Sequence, residues 1–250
     1  MKTPASLPDV SISEDGEVRF LHLGTEWVQG SMLLDAPFDI ELEYVQRMMA
    51  WLLFVEPDSV GKRRALQLGL GSAALTKFCF KRLRMDTTAI EINPQVVAVC
   101  RRWFKLPPDS ARLRVLLADA GEAIRADEHL QRYDALQVDL YDHEAAAPVL
   151  DSADFYADCR NTLTDEGCLT VNLFGRDASY ERSLQSLSEA FGADAVWAFR
   201  PTREGNTVVL AQRQASRPSR MELLARAEEV QQRWGLPAVK WLRLFQPVVR

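Results

Sequence analysis

Four short apolar runs, each closed by a glycine turn or a carboxylate, constrain this chain more than any other feature. They are Ala65-Leu66-Gln67-Leu68 ending at Gly69-Leu70-Gly71, Thr88-Ala89-Ile90-Glu91, Val115-Leu116-Leu117-Ala118-Asp119, and Ala135-Leu136-Gln137-Val138-Asp139-Leu140-Tyr141-Asp142. Helix-like segments separate them. Strands and helices in alternation predict an α/β fold with a mostly parallel sheet covered on both faces. In such sheets ligands bind beyond the carboxyl ends of the strands, where these glycines and acids would gather.

The 250 residues, 47% of them hydrophobic, suffice for one full core and a small extension. A net charge of −5 with both signs interspersed argues against a nucleic-acid surface. The first 17 residues have no apolar leader, and no run reaches the roughly 18 apolar residues of a membrane span, so a cytoplasmic protein is expected. Cys79, Cys100, Cys159 and Cys168 form no C-x-x-C pair, and His22, His129 and His143 are scattered. Buried free thiols are expected rather than a metal site or a disulfide framework.

Taken in order, residues 1–38 read as a loose tail and a small N-terminal β-hairpin, 18–23 turning at Gly24 into 27–32. Asp39 is placed to cap a helix over 40–54. Between 39 and 215 come five β-α units, with helices expected over 73–84, 94–104, 121–130, 152–163 and 180–191. Asp165-Glu166-Gly167 should turn into a strand over 168–174. An antiparallel pair, 195–199 and 207–212, closes the series. This layout resembles the class I adenosylmethionine-dependent methyltransferase fold, a Rossmann-like sheet. Residues 216–250 form a C-terminal extension, an amphipathic helix with Leu223, Leu224, Ala227 and Val230 on one side and an apolar tail at Trp241, Leu244 and Phe245. The tail reads as a strap on the main domain or as an oligomer contact; with the exposed hairpin it makes a homodimer plausible.

Gly69 and Gly71 open a helix directly after a strand, where a ligand needs close backbone approach. Glu91, twenty residues after Gly71, ends the second strand, placed to accept from both ribose hydroxyls. Ala74 stands where a third glycine would seat a pyrophosphate, which favours an adenosylmethionine-type cofactor over a dinucleotide. Asp119, followed by Ala120, is placed to accept from an adenine amino group, or else to cap a helix. Asp139 and Asp142 offer paired negative charge at the crevice mouth for an amine substrate or a sulfonium, and one of them would take a proton from an attacking amine. His143 would share that role or lie exposed.

These residues resemble the polyamine aminopropyltransferases, the spermidine synthase family, over about 18–212. The likeness lies in the hairpin with Gln29, the Gly69-Leu70-Gly71 loop, Ala89-Ile90-Glu91-Ile92-Asn93-Pro94, Ala118-Asp119-Ala120, Asp139-Leu140-Tyr141-Asp142, Phe155-Tyr156 and Gly167-Cys168-Leu169. The resemblance implies transfer of an aminopropyl group from decarboxylated S-adenosylmethionine to putrescine. It implies that Gln29 touches the nucleoside, Glu91 the ribose and Asp119 the adenine. Asp139 would be the catalytic carboxylate, with Asp142 helping to bind the diamine. Two departures stand out. Ser72 replaces the aspartate with which the family's glycine loop holds the ammonium of the aminopropyl arm. In the family's D-S-S-D-P loop, Leu140 and Tyr141 replace the serines and His143 the proline, so Tyr141 would narrow the acceptor pocket or stack there.

The first reading is therefore an aminopropyltransferase-like enzyme needing no metal. Ser72 keeps open a methyltransferase that uses ordinary S-adenosylmethionine, since a lost aspartate removes a repulsion against that cofactor's carboxylate. A catalytically silent protein that binds a nucleoside or a polyamine is the third reading.

Overall fold

The computed structural model describes residues 7–140, 150–174 and 178–249. Three strands, β1 (Val10–Asp15), β2 (Val18–Leu23) and β3 (Val28–Leu33), form an antiparallel sheet where a two-stranded hairpin was expected. The added strand, VSISED, is exposed along nearly its whole length. An edge strand with so little buried surface leaves a weak alternation signal.

The helix expected over 40–54 is broken. Only α1 (Glu43–Arg47) is α-helical, and a 3₁₀ segment follows at Ala50–Phe54. Asp39 does not cap it; its carboxylate pairs with Arg82 at 2.9 Å. The reason is burial: Met48, Met49, Ala50, Trp51, Leu52 and Leu53 are all at 0% exposure, so this stretch has no solvent face. A segment apolar all round needs cover on every side.

The main sheet comprises β4 (Arg64–Leu68), β5 (Asp86–Glu91), β6 (Leu113–Leu117), β7 (Tyr133–Val138), β8 (Leu163–Phe174), β9 (Val196–Phe199), β10 (Asn206–Gln212) and β11 (Phe245–Pro247). Their spatial order is β11-β9-β10-β8-β7-β4-β5-β6. The five from β8 to β6 are parallel, while β10, β9 and β11 pair antiparallel. Chain order reverses between β4 and β7, the kind of switch point where open α/β sheets bind ligands. At that point Gln67 and Gln137 sit opposite one another, both buried, with Gln67 Nε2 donating to Gln137 Oε1 at 2.6 Å. A paired amide in an apolar layer fixes the register, because a slip would leave both amides unpaired. The turn expected at 165–167 is a register break within β8 instead, where Gly167 presses on β7: an added Cβ would lie 2.8 Å from the Tyr133 carbonyl.

The connecting helices follow their capping chemistry. After β4, α2 (Ala74–Lys77) runs into a π turn at Phe78–Arg82. In α3 (Pro94–Trp103), Pro94 occupies the first turn and the Asn93 side chain caps it by accepting from Gln95 N. The helix after β6 is shorter than expected, α4 (Ala120–Ala123), with a 3₁₀ turn at Asp127–His129. Ser152 caps α5 (Ala153–Thr162), and α6 (Ala178–Phe191) follows β8. The C-terminal α7 (Arg220–Trp234) has a full Ser219/Glu222 capping box and stops at Gly235 in the left-handed region.

Leu223, Ala227 and Val230 of α7 cover the buried 48–53 stretch, whereas Leu224, expected on the same side, is 40% exposed. After α8 (Ala238–Trp241), β11 pairs with β9 and stacks Phe245 on Trp197. The apolar tail is thus a strap that extends the sheet. The other face carries α5 and α6, with Tyr156, Cys159 and Leu187 fully buried. All four cysteines are buried and free.

Candidate active site

The carboxyl ends of β4, β5, β6 and β7 open on a cavity of about 970 Å³, roofed by the N-terminal sheet and the segment leading into α1. Gly69, at φ +87°, turns β4 toward it; an added Cβ there would lie 2.3 Å from the Asp139 carbonyl oxygen. Gly71, at φ +50°, packs against the Gln29 carbonyl. Both positions require a glycine, for the backbone angle and for the space. The loop is held from behind, where Cys100 Sγ donates to Gly71 O at 3.1 Å.

Glu91 is buried and lines the cavity. Its Oε2 accepts from Leu70 N at 2.9 Å and its Oε1 from Asn93 N at 2.8 Å. Each carboxylate oxygen keeps further lone-pair capacity toward the cavity. Burial raises the pKa of Glu91 and the backbone N–H groups oppose the rise. Asp119 caps α4, its Oδ1 accepting from Glu122 N at 3.0 Å, and also lines the cavity beside Ala120. The capping and cavity readings of Asp119 therefore coexist. Gln29, against the glycine loop, also lines the cavity, and its buried Nε2 meets no acceptor among the described residues.

Asp139, at the end of β7, also lines the cavity. Its Oδ2 accepts from Tyr44 Oη at 3.2 Å and its Oδ1 from Asn172 Nδ2 at 3.0 Å; Asn172 Oδ1 in turn accepts from Asn206 Nδ2 at 3.1 Å. Burial pushes its pKa up to about 6, against the lowering effect of Asn172 and Tyr44. Tyr44, Asn172 and Asn206 all line the cavity, and sequence reasoning missed them. Asn172 carried a usable signal, a polar residue inside the apolar run at the carboxyl end of β8. Tyr44 carried none, because a long amphipathic helix was expected there.

Ser72 is placed differently from the other expected residues. It is 3% exposed, lies outside the cavity lining, and its Oγ donates to Ser31 O of β3 at 2.9 Å. Gly30 makes this possible, since a Cβ there would sit 2.7 Å from Ser72 Oγ. Tyr141, Asp142 and His143 fall outside the described residues.

The charge of the wall is one-sided. Glu26, Glu41, Glu43, Glu91, Asp119, Asp139 and Glu204 line it, with no lysine, arginine or histidine among the described lining residues. A glycine loop, a strand-end glutamate and an acidic cavity thus meet at the switch point of the sheet, the place where open α/β sheets bind their ligands.

No protein-family model matches the chain. It is 34% identical to the polyamine aminopropyltransferase of Neisseria meningitidis serogroup A over 235 residues, 93% of this chain and 87% of that one. It is also 34% identical to that of Chromobacterium violaceum over 233 residues, 92% and 87% of the two chains. Among solved structures, a probable spermidine synthase from Corynebacterium glutamicum matches with a TM-score of 0.71 at 18% identity, over 94% of this chain and 88% of that one. Human methyltransferase-like protein 13, in complex with SAH, gives 0.66 at 24% identity over 81% and 93%. A spermidine synthase in complex with the transition state analogue AdoDATO gives 0.60 at 15% identity over 90% and 78%. These structures show the methyltransferase-like fold. By its curated relatives, the chain belongs to the polyamine aminopropyltransferase family and is a transferase.

Proposed function

We propose that the protein transfers the aminopropyl group of decarboxylated S-adenosylmethionine to an amine acceptor such as putrescine, releasing methylthioadenosine. The observation that carries this reading is the cavity wall, with seven carboxylates and no cation among the described lining residues. Such a wall attracts a sulfonium, a primary ammonium and a diamine, and repels the carboxylate of ordinary S-adenosylmethionine. Family membership and the SAH and AdoDATO ligands of the matching structures support a nucleoside of this class.

The residues suit such a donor. Glu91 accepts from the ribose hydroxyls and Asp119 from the adenine amino group, while Gln29 Nε2, without an acceptor among the described residues, donates to the nucleoside. The sulfonium supplies an activated carbon and a neutral leaving group. The acceptor nitrogen attacks the carbon beside sulfur, the C–N bond forms as the C–S bond breaks, and the sulfur leaves with its electron pair as a thioether. Asp139, mainly ionised at pH 7, takes the proton that the attacking ammonium must shed and passes it to solvent. Tyr44 and Asn172 hold its two oxygens in fixed directions, so orientation accompanies proton acceptance. The family resemblance assigns the diamine contact to Asp142, with Tyr141 beside it in sequence, both outside the described residues.

A thermal-shift panel tests the reading. Ligand at a hundred times its dissociation constant adds about 2.7 kcal/mol, which for a chain of this size moves the midpoint by roughly 5–10 °C. Shifts from decarboxylated S-adenosylmethionine and methylthioadenosine are expected, and smaller ones from S-adenosylmethionine and S-adenosylhomocysteine. A preference for the latter pair would favour methyl transfer, and no shift from any of the four would refute both.

A further inference from the structure

The donor's aminopropyl arm ends in an ammonium, and Ser72, at the tip of the glycine loop, offers neither charge nor a free hydroxyl. Its Oγ is committed to Ser31 O, with Gly30 packed over it. One bond further along the same line lies a carboxylate. Ser31 Oγ donates to Glu41 Oε2 at 2.6 Å, and Glu41 lines the cavity beside Gly69, Leu70 and Gly71. The other oxygen, Oε1, accepts no bond from the described residues.

The other carboxylates of the wall are differently engaged. Glu91 accepts from two backbone N–H groups at the end of β5, and Asp119 caps α4. Asp139 is held by Tyr44 and Asn172 at the end of β7. Glu43 is ion-paired with the buried Arg47, which is itself fixed on Arg200 O. Glu26 and Glu204 are exposed on turns at the rim. Among the carboxylates of the wall, Glu41 combines partial burial with an anchoring donor on one oxygen and none on the other from the described residues.

We propose that Glu41 holds the ammonium of the aminopropyl arm and thereby selects the decarboxylated donor over ordinary S-adenosylmethionine. The inference rests on the aminopropyltransferase reading above. Ser31 fixes the carboxylate by binding Oε2, which turns Oε1 to the arm. On S-adenosylmethionine the α-carboxylate sits on the carbon that bears this ammonium, so it would be forced against Glu41. The negative charge that Ser72 cannot provide from the loop is supplied by Glu41 through its link to Ser31.

The test is Glu41→Gln, which keeps an oxygen for Ser31 and removes only the charge. Isothermal titration would compare decarboxylated S-adenosylmethionine, S-adenosylmethionine and methylthioadenosine, which lacks the arm. The decarboxylated donor should weaken by about 10- to 100-fold, the scale of a charge-assisted hydrogen bond. Methylthioadenosine should change less than about twofold, and the preference over S-adenosylmethionine should shrink by at least the same factor as the donor affinity, because the repulsion of its carboxylate is relieved as well. Ser31→Ala, which frees the carboxylate without neutralising it, should give a smaller loss of donor affinity alone. Equal loss for all three ligands, or an unchanged donor affinity, would overturn the role of Glu41. A wild-type protein that binds neither the donor nor methylthioadenosine would instead overturn the aminopropyltransferase reading itself.

Discussion

Replacing Asp139 by asparagine separates the chemistry of this site from its stability. Asp139 is partly buried, and desolvation raises its pKa to about 6 against an ordinary 3.8. The ionised form is thus disfavoured in the folded protein, at a cost of roughly 3 kcal/mol at neutral pH. The sign follows from linkage. Below about pH 4 the carboxyl is neutral whether folded or unfolded and costs nothing; between pH 4 and 6 the cost accumulates, and above pH 6 it is constant. An amide accepts at one atom only, so one of the two bonds from Tyr44 and Asn172 goes, worth about 1 kcal/mol. Asp139→Asn should therefore be stabilised by about 2 kcal/mol at pH 7, a rise in Tm of roughly 4–8 °C. The gain should disappear at pH 4. Turnover should fall about 10²- to 10⁴-fold, the range for loss of a general base, while methylthioadenosine still binds. In the wild type, kcat/KM should decline about tenfold per pH unit below an apparent pKa near 6. Calorimetry at two pH values with a pH–rate profile measures all of this. An acid limb near 4, or a variant retaining more than about a tenth of wild-type turnover, would refute the reasoning.

Glu91→Ala should leave the buried Leu70 and Asn93 N–H groups without their acceptor, costing about 1–3 kcal/mol by denaturant unfolding and abolishing measurable nucleoside binding. Gly69→Ala meets the Asp139 carbonyl at 2.3 Å in a left-handed backbone, so it should lose nucleoside binding in titration and unfold at lower denaturant than wild type. Trp51→Ala, outside the cavity lining and completely buried in the cluster with α7, should cost about 3–5 kcal/mol in chemical denaturation.

The parallel core was legible because two-sided burial leaves a simple trace. Ala65, Leu66 and Leu68 form an apolar run broken only by Gln67, and Asn93-Pro94 and Ser152 announce their helices through backbone chemistry that acts within a few residues. The cavity's glycine loop and its acids at 91, 119 and 139 were legible for the same reason, since each ends a recognisable strand. What was not legible depends on contacts distant in sequence. The 48–53 stretch reads as one face of a helix until α7, some 170 residues later, supplies the cover that removes its solvent side. Val10–Asp15 became a strand only because β2 offers it an edge. Ser72 matches a cofactor-contacting position in the motif, yet its hydroxyl is drawn aside by the Ser31 carbonyl of a different sheet. Likewise Tyr44 reaches Asp139 across 95 positions.

Product analysis tests the central claim most directly. The purified protein would be incubated with decarboxylated S-adenosylmethionine and putrescine, and both products followed by mass spectrometry. Aminopropyl transfer predicts methylthioadenosine and an acceptor heavier by one aminopropyl group, in equal amounts and abolished by Asp139→Asn. A nucleoside that binds but is never consumed, or a methylated acceptor formed from S-adenosylmethionine, would contradict it.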